Sequence, residues 1–258
     1  MSWKILDCTL RDGGYYTNWD FSQELVKSYT TTVSQLPVAY LEVGYRNLPH
    51  PDYFGEFFYL PESSLAQFSQ AAEAGLKLAV MMDEKKYTPQ DVPSLLKRCQ
   101  GSVHLVRMTV RPSKIDEGIV LAKAVKSLGF EVALNIMYLS KMGEDLSSLL
   151  KFKDHGDSID YLYLVDSYGA CFPAQIKAAF EFAKAALPMK IGFHGHDNIG
   201  LAFVNTLTAL EAGADIVDAT ILGMGRGAGN LRTELERDMK LMGITSLDQL
   251  SRDNLRFR

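Results

Sequence analysis

Cysteine is scarce: Cys8, Cys99 and Cys171 are the only three in 258 residues, widely spaced and with no CxxC pair. That pattern excludes a disulfide framework and a thiolate zinc site, and it fits a reducing compartment. Strong charge of one sign is also missing, since 27 Lys and Arg stand against 31 Asp and Glu for a formal net charge of -4. The basic residues are scattered, so there is no electrostatic footprint for nucleic acid or an anionic membrane surface. No apolar run is long enough to span a bilayer, and the start, MSWKILDCTLRDGG, has none of the parts of a secretory signal. A cytoplasmic protein with small-molecule partners is expected. The 47% of hydrophobic residues and 22% of charged ones make a globular composition, long enough for one large core.

Short apolar runs alternate with longer amphipathic stretches. Strands are expected at 4–9, 39–43, 76–81, 103–109, 131–136, 161–165, 190–193 and 216–219. Most are too apolar to be half-exposed, as in parallel strands covered on both faces. Helical patterns lie between them at 63–74, 89–99, 115–128, 173–186 and 199–212. Gly129 and Gly213 follow two of these, where glycine supplies the left-handed cap that stops a helix. Eight such units predict an α/β fold, a (β/α)8 TIM barrel, as one domain over 1–258. The runner-up, an open doubly wound sheet, is disfavoured. Arg11-Asp12-Gly13-Gly14, read as the turn after the first strand, is charged where a GxGxxG loop would set backbone against pyrophosphate. The tail beyond Leu247 reads as a trimmed end or the stub of a longer protein.

In such a barrel the C-terminal strand ends form the active face. Here they bring Arg11 and Asp12 after the first strand, Glu42 and Tyr45 around the second, and Arg107 or Thr109 from the fourth. Tyr138 follows the fifth, Asp166 and Ser167 the sixth, His194, His196 and Asp197 the seventh, and Asn230 the eighth. A His-x-His on a strand end points alternate side chains to one side, so His194 and His196 can hold one ion while Gly195 points away. With Asp12 they make a mixed nitrogen and oxygen set with open positions, suited to catalytic Mn2+ or Mg2+, with Zn2+ or Co2+ as alternatives.

Three segments, LDCTLRDGGYY (6–16), GFHGHDNIGLA (192–202) and VDATILGMGRGAGN (217–230), resemble the signature regions of the DRE-TIM metallolyase superfamily. That group includes hydroxymethylglutaryl-CoA lyase, isopropylmalate and homocitrate synthases, and the 4-hydroxy-2-oxovalerate aldolases. The aldolase branch is most similar through GMGRGAGN (223–230) and LVDSYGA (164–170), and the cysteine of the lyase branch is absent after the eighth strand. The resemblance implies metal ligands at Asp12, His194 and His196, with Asn230 as a fourth ligand or a neighbour of the ligands. It also implies that Arg11 stabilises an enolate oxygen and that Glu42 orients the ligand set. Arg107, Tyr138, Asp166 and Ser167 are the expected substrate contacts.

The departures are informative. The aldolases place a histidine base two residues past the RDG segment, where this chain reads Tyr15 and Tyr16. Either tyrosine is a candidate base, although a phenol titrates near ~10 and needs help from the metal or Arg11. A metal-bound hydroxide is the other candidate. The aldolases' C-terminal helical extension and the isopropylmalate synthases' regulatory domain are both missing from the sequence. The loop 45–61, with Arg46, His50, Asp52, Tyr53 and Phe54, is expected to close over the site and read the acceptor aldehyde.

Each site residue also has a plainer reading. Arg11-Asp12 is then a turn ion pair, Glu42 a salt bridge to Arg11, and Tyr15 and Tyr16 packing aromatics. Asp166 and Ser167 cap the helix near Pro173, and Cys171 is an ordinary small residue. The glycines of 223–229 make either a phosphate nest or a close backbone approach to the metal site.

The expected function is a divalent-metal-dependent aldolase, a carbon-carbon lyase that cleaves or forms a 4-hydroxy-2-oxo acid through a pyruvate enolate. Its partners would be a 2-oxo acid and an aldehyde, with a homo-oligomer or a partner enzyme domain left open. Two competitors remain. One is a transferase condensing an acyl-CoA with a 2-oxo acid, as isopropylmalate synthases do. The other is a non-catalytic metal-binding barrel subunit.

Overall fold

The computed structural model describes residues 3–83 and 87–233, so the tail beyond Leu247 lies outside the described residues. Eight parallel strands neighbour one another in chain order, and the last returns to the first to close a barrel. They are β1 (Lys4–Asp7), β2 (Tyr40–Tyr45), β3 (Lys77–Asp83) and β4 (Val103–Val110), then β5 (Glu131–Ile136), β6 (Tyr161–Asp166), β7 (Lys190–Gly195) and β8 (Ile216–Ala219). β5 and β8 have the expected bounds. β7 runs two residues further than expected, which puts His194 inside the strand rather than in the loop after it.

The near-continuous apolar runs are explained by burial on both faces. Along each strand one set of side chains, including Leu6, Tyr40, Ala79, Leu105, Ala133 and Tyr161, fills the barrel interior. The alternate set, including Leu41, Val80, Val106, Val132 and Leu162, packs against the surrounding helices. At the N-terminal mouth Tyr40 Oη donates to Glu131 Oε2 at 2.7 Å and Lys77 Nζ to Glu131 Oε1 at 2.9 Å, closing the interior with a polar plug.

A second polar layer crosses the interior higher up, around Arg107. This residue is expected from sequence to touch substrate, but it is fully buried. Its guanidinium pairs with Asp218 Oδ2, lies 3.2 Å from Glu42 Oε2 and sits 4.3 Å from the centroid of the Tyr163 ring. A buried cation needs such partners, because an unpaired charge in the barrel would be strongly destabilising. Arg107 therefore ties β4 to β2, β6 and β8 beneath the active face.

The outer helices follow the sequence with breaks. Pro173–Ala186 has the expected bounds, but the 63–74 pattern divides into Glu62–Ala66 and Ser69–Glu73, with Phe68 turned into the core between them. The 89–99 pattern becomes a short helix, Val92–Leu96, followed by a 3-10 turn over Lys97–Cys99.

The largest difference from expectation is at Arg11-Asp12-Gly13-Gly14, which is part of a helix, α1 (Thr9–Thr17), rather than a turn. Glycine is a poor helix former, so a Gly-Gly pair reads as a break. Here it is required by packing: a Cβ on Gly13 would collide with the Met224 side chain, and one on Gly14 with the Trp19 indole. Trp19 Nε1 donates to the carbonyl of Arg11 at 2.8 Å, and Asn18 in the left-handed conformation ends the helix. Among the described residues, no helix is long and apolar enough to cross a membrane.

Candidate active site

α1 begins where β1 ends, and its first turn aims Arg11 and Asp12 at the barrel axis. Arg11 is buried between two carboxylates, pairing with Asp12 and with Glu42 Oε2 at 2.7 Å. The Glu42 salt bridge fixes the guanidinium that faces the site. Burial works against the Arg11 charge, but Asp12 and Glu42 more than offset it and hold the group cationic.

His194 and His196 project from the end of β7 on the same side, with ring centroids 4.8 Å apart. His194 Nδ1 donates to Asp218 Oδ2 at 2.7 Å, and His196 Nδ1 donates to the carbonyl oxygen of Asp166 at 2.8 Å. Those bonds fix both tautomers, leaving Nε2 as the free lone pair on each ring. His194 Nε2 lies 3.7 Å from Asp12 Oδ2. Burial pushes His194 well below the ordinary imidazole range, helped by its neighbour His196, and lowers His196 as well, so both rings are neutral. Burial opposes ionisation of Asp12, yet the Arg11 guanidinium, with the Asn230 amide, outweighs it and holds the carboxyl below its usual value.

Asn230 completes the group. Its Nδ2 donates to Asp12 Oδ2 at 2.7 Å, while its buried Oδ1 has no hydrogen-bond partner. A buried acceptor left without a partner is costly, and a cation would satisfy it. The glycine loop makes this placement feasible: a Cβ on Gly225 would lie 2.6 Å from Asn230 Nδ2, which supports close backbone approach over a phosphate nest.

Donor atoms bound to one ion at 2.0–2.2 Å lie roughly 3–4 Å apart, and the Asp12–His194 spacing falls in that range. Asp12 and His194 thus have the spacing of two ligands of one divalent ion, with the His196 ring and the unpartnered Asn230 carbonyl beside them. Cys8, His194 and Asp218 also offer ligand atoms within 4.8 Å of one another. That trio is a poorer site, because His194 Nδ1 and Asp218 are already bonded to each other and Asp218 also holds Arg107. Burial, with Asp12 and Asp218 nearby, pushes the Cys8 thiol well up, keeping it protonated, and its Sγ lies 3.6 Å from Asp12 Oδ2.

The other expected residues divide. Tyr15 and Tyr138 line the cavity beside the histidines, and Tyr15 Oη lies 3.2 Å from Tyr45 Oη. Tyr16 does not line it; 64% exposed, it donates to the carbonyl of Gly227 at 3.4 Å. The Asp166 carboxylate is turned away from the cavity and accepts from the backbone N–H groups of Ala170 and Cys171, so its contribution to the face is its carbonyl. Ser167 Oγ accepts from the N–H of Tyr138 and lines an adjoining cavity. In place of an open lid, the 45–61 segment is docked on the turn after α1 through Phe54 and Phe58 against Trp19, with a short helix at Glu56–Tyr59.

Sequence reasoning missed Asp218, Asn135, Arg111 and Arg226. The lone acid in an apolar four-residue strand was the signal for Asp218. Asn135 interrupts β5 in the same way, and it lines the cavity together with Arg111 and Arg226.

Residues 2–248 match the family model described as HMGL-like. A Carboxydothermus hydrogenoformans protein named 4-hydroxy-2-oxovalerate aldolase is 34% identical over 242 residues, 90% of this chain and 68% of the relative. One of the same name from Chloroflexus aurantiacus is 31% identical over 234 residues, covering 90% and 67%. The crystal structure of the N-terminal domain of an aldolase candidate from Bacteroides vulgatus superposes with a TM-score of 0.88 at 46% identity, over 92% of this chain and 79% of that one. The carboxyl transferase domain of Rhizobium etli pyruvate carboxylase shares the fold at 18% identity, with a TM-score of 0.76 over 98% of this chain and 46% of that one. With its barrel, its histidine pair and its RDG helix all inside the matched span, the chain belongs to the HMGL-like family.

Proposed function

We propose that this protein is a metal-dependent aldolase that cleaves or forms a 4-hydroxy-2-oxo acid through a pyruvate enolate. The observation that carries this reading is the pair of neutral histidines, each with Nδ1 occupied and Nε2 free, beside Asp12 and Arg11. Asp12, His194, His196 and Asn230 would hold the ion, and the mixed nitrogen and oxygen set favours Mn2+ or Mg2+ over Zn2+ or Co2+. When bound, the ion supplies a Lewis acid that polarises the carboxylate and keto oxygens of a 2-oxo acid.

The chain's own residues do the rest. Arg11, held by Glu42, presents guanidinium N–H groups where negative charge develops on the enolate oxygen, at no cost of reorganisation. Tyr15 takes the place of the missing histidine as the group that accepts or returns the proton of the 4-hydroxyl. Tyr45 Oη at 3.2 Å holds the Tyr15 phenol toward the cavity by a hydrogen bond. Tyr138 also walls the cavity.

The test is loss of the pyruvate methyl signal by proton NMR in D2O with Mn2+ or Mg2+. The reading expects metal-dependent exchange that chelator removes and that Asp12→Ala and His196→Ala both abolish. Absence of exchange from metal-loaded wild type would sink it.

A further inference from the structure

In this reading the ligand set and Arg11 take up the pyruvate half of the substrate, yet the polar surface does not stop there. Arg226, in the loop after β8, lies with its guanidinium carbon 5.3 Å from the centroid of the Tyr15 ring. No carboxylate among the described residues pairs with it, in contrast to Arg11 and Arg107, which each hold two. A guanidinium seated over an aromatic face keeps its N–H edge free, and that edge matches the fork of a carboxylate or phosphate.

Arg226 also marks a junction. The cavity at the histidines and an adjoining one, reached past His196, share Met137, Tyr138, His196 and Arg226 as walls. The second cavity continues to Ser167, Tyr168 and Asn198. Its aromatic wall is ordered, with the Tyr138 and Tyr168 rings stacked at 5.4 Å and Lys141 Nζ 4.8 Å from the Tyr168 centroid. A two-carbon aldehyde would leave this space and both cations unused. Asn135, which also lines the first cavity, is 2% exposed and its Oδ1 has no partner, so the region offers a further polar contact to a longer substrate.

We infer that the aldehyde half of the substrate is extended and ends in an anionic group, a carboxylate or a phosphate, bound by Arg226 where the two cavities meet. The inference rests on the aldolase reading and adds the substrate class. Arg226 acts by positioning the acceptor carbonyl for attack by the enolate, and it makes no contact with the reacting carbon.

The experiment measures kcat/KM for aldol addition of pyruvate to size-matched pairs: succinic semialdehyde against butanal, and glyceraldehyde 3-phosphate against glyceraldehyde. Wild type, Arg226→Gln and Arg226→Lys are compared, with pyruvate methyl exchange recorded in the same wild-type preparation. At least one charged member should exceed its neutral partner by about tenfold or more, the scale of a charge-assisted fork. That ratio should collapse toward one in Arg226→Gln, mainly through KM, and be partly restored in Arg226→Lys. Which pair shows the preference tells carboxylate from phosphate. Exchange without any charge preference, or a preference that survives Arg226→Gln, overturns this inference alone. Absence of exchange overturns the aldolase reading and this inference with it.

Discussion

His194 Nδ1 and Asp218 Oδ2 are 2.7 Å apart, and the same carboxylate oxygen also pairs with Arg107. One atom thus fixes the tautomer of a candidate metal ligand and neutralises the cation that spans the barrel. Asp218→Asn should weaken Mn2+ binding by about 10- to 100-fold, as loss of a ligand's orienting partner generally does. Titration followed by the Mn2+ electron paramagnetic resonance signal checks this. An unchanged affinity would show that the tautomer is set elsewhere.

Tyr15 and Tyr16 are adjacent in sequence but differ in setting. Tyr15→Phe removes the phenol that faces the cavity and Tyr45, and should lower the aldol cleavage rate by about 10²-fold, the low end for a positioned acid or base. Tyr16→Phe, outside the cavity, should change it less than about 2-fold. Equal losses in both variants, measured as kcat on a 4-hydroxy-2-oxo acid, would remove Tyr15 from the proton path.

Gly225→Ala tests the loop. The added methyl would lie 2.6 Å from Asn230 Nδ2 and must displace the amide that donates to Asp12. Pyruvate exchange should fall at least about tenfold while the circular dichroism spectrum is retained, because the change is confined to a loop above the barrel. Full exchange in this variant would argue that Asn230 has no part in the site.

At the opposite mouth, burial works against the Glu131 charge, but the hydrogen bonds from Tyr40 and Lys77 outweigh it and hold the carboxyl below its ordinary value of 4.5. A carboxylate with a lowered folded-state value adds stability above pH 4.5, and that contribution is lost as pH falls through the folded value. Glu131→Gln should therefore lower Tm by about 2–4 °C at pH 7, a hydrogen-bond-sized effect in a chain of this length. The gap from wild type should close under acid, and a gap independent of pH would show that packing rather than charge is responsible.

Much of this architecture was legible in the sequence because parallel strands buried on both faces leave unbroken apolar runs, as in 131–136 and 216–219. The RDG helix was not legible, since what makes it helical is the Trp19 ring and the Met224 side chain, the latter more than 200 positions away, filling the space beside two glycines. Arg107 was placed on the correct strand. Whether a strand residue sits in the interior or at its rim depends on the stagger of the barrel, which local pattern does not encode. Asp166 reached the site by its carbonyl rather than its carboxylate, a distinction that residue type alone cannot carry.

The cross-barrel group of Glu42, Arg107 and Asp218 also marks where this fold can be cut for engineering. Below it the interior is filled by Leu6, Tyr40, Ala79, Leu105, Ala133 and Tyr161, packed together down to the polar plug at the N-terminal mouth. Above it Arg11, His194 and His196 line the cavity and are held by charged or polar partners. A catalytic face transplanted onto another barrel would have to carry those three residues as its floor, and loops moved without them would arrive with Arg11 and His194 unsupported.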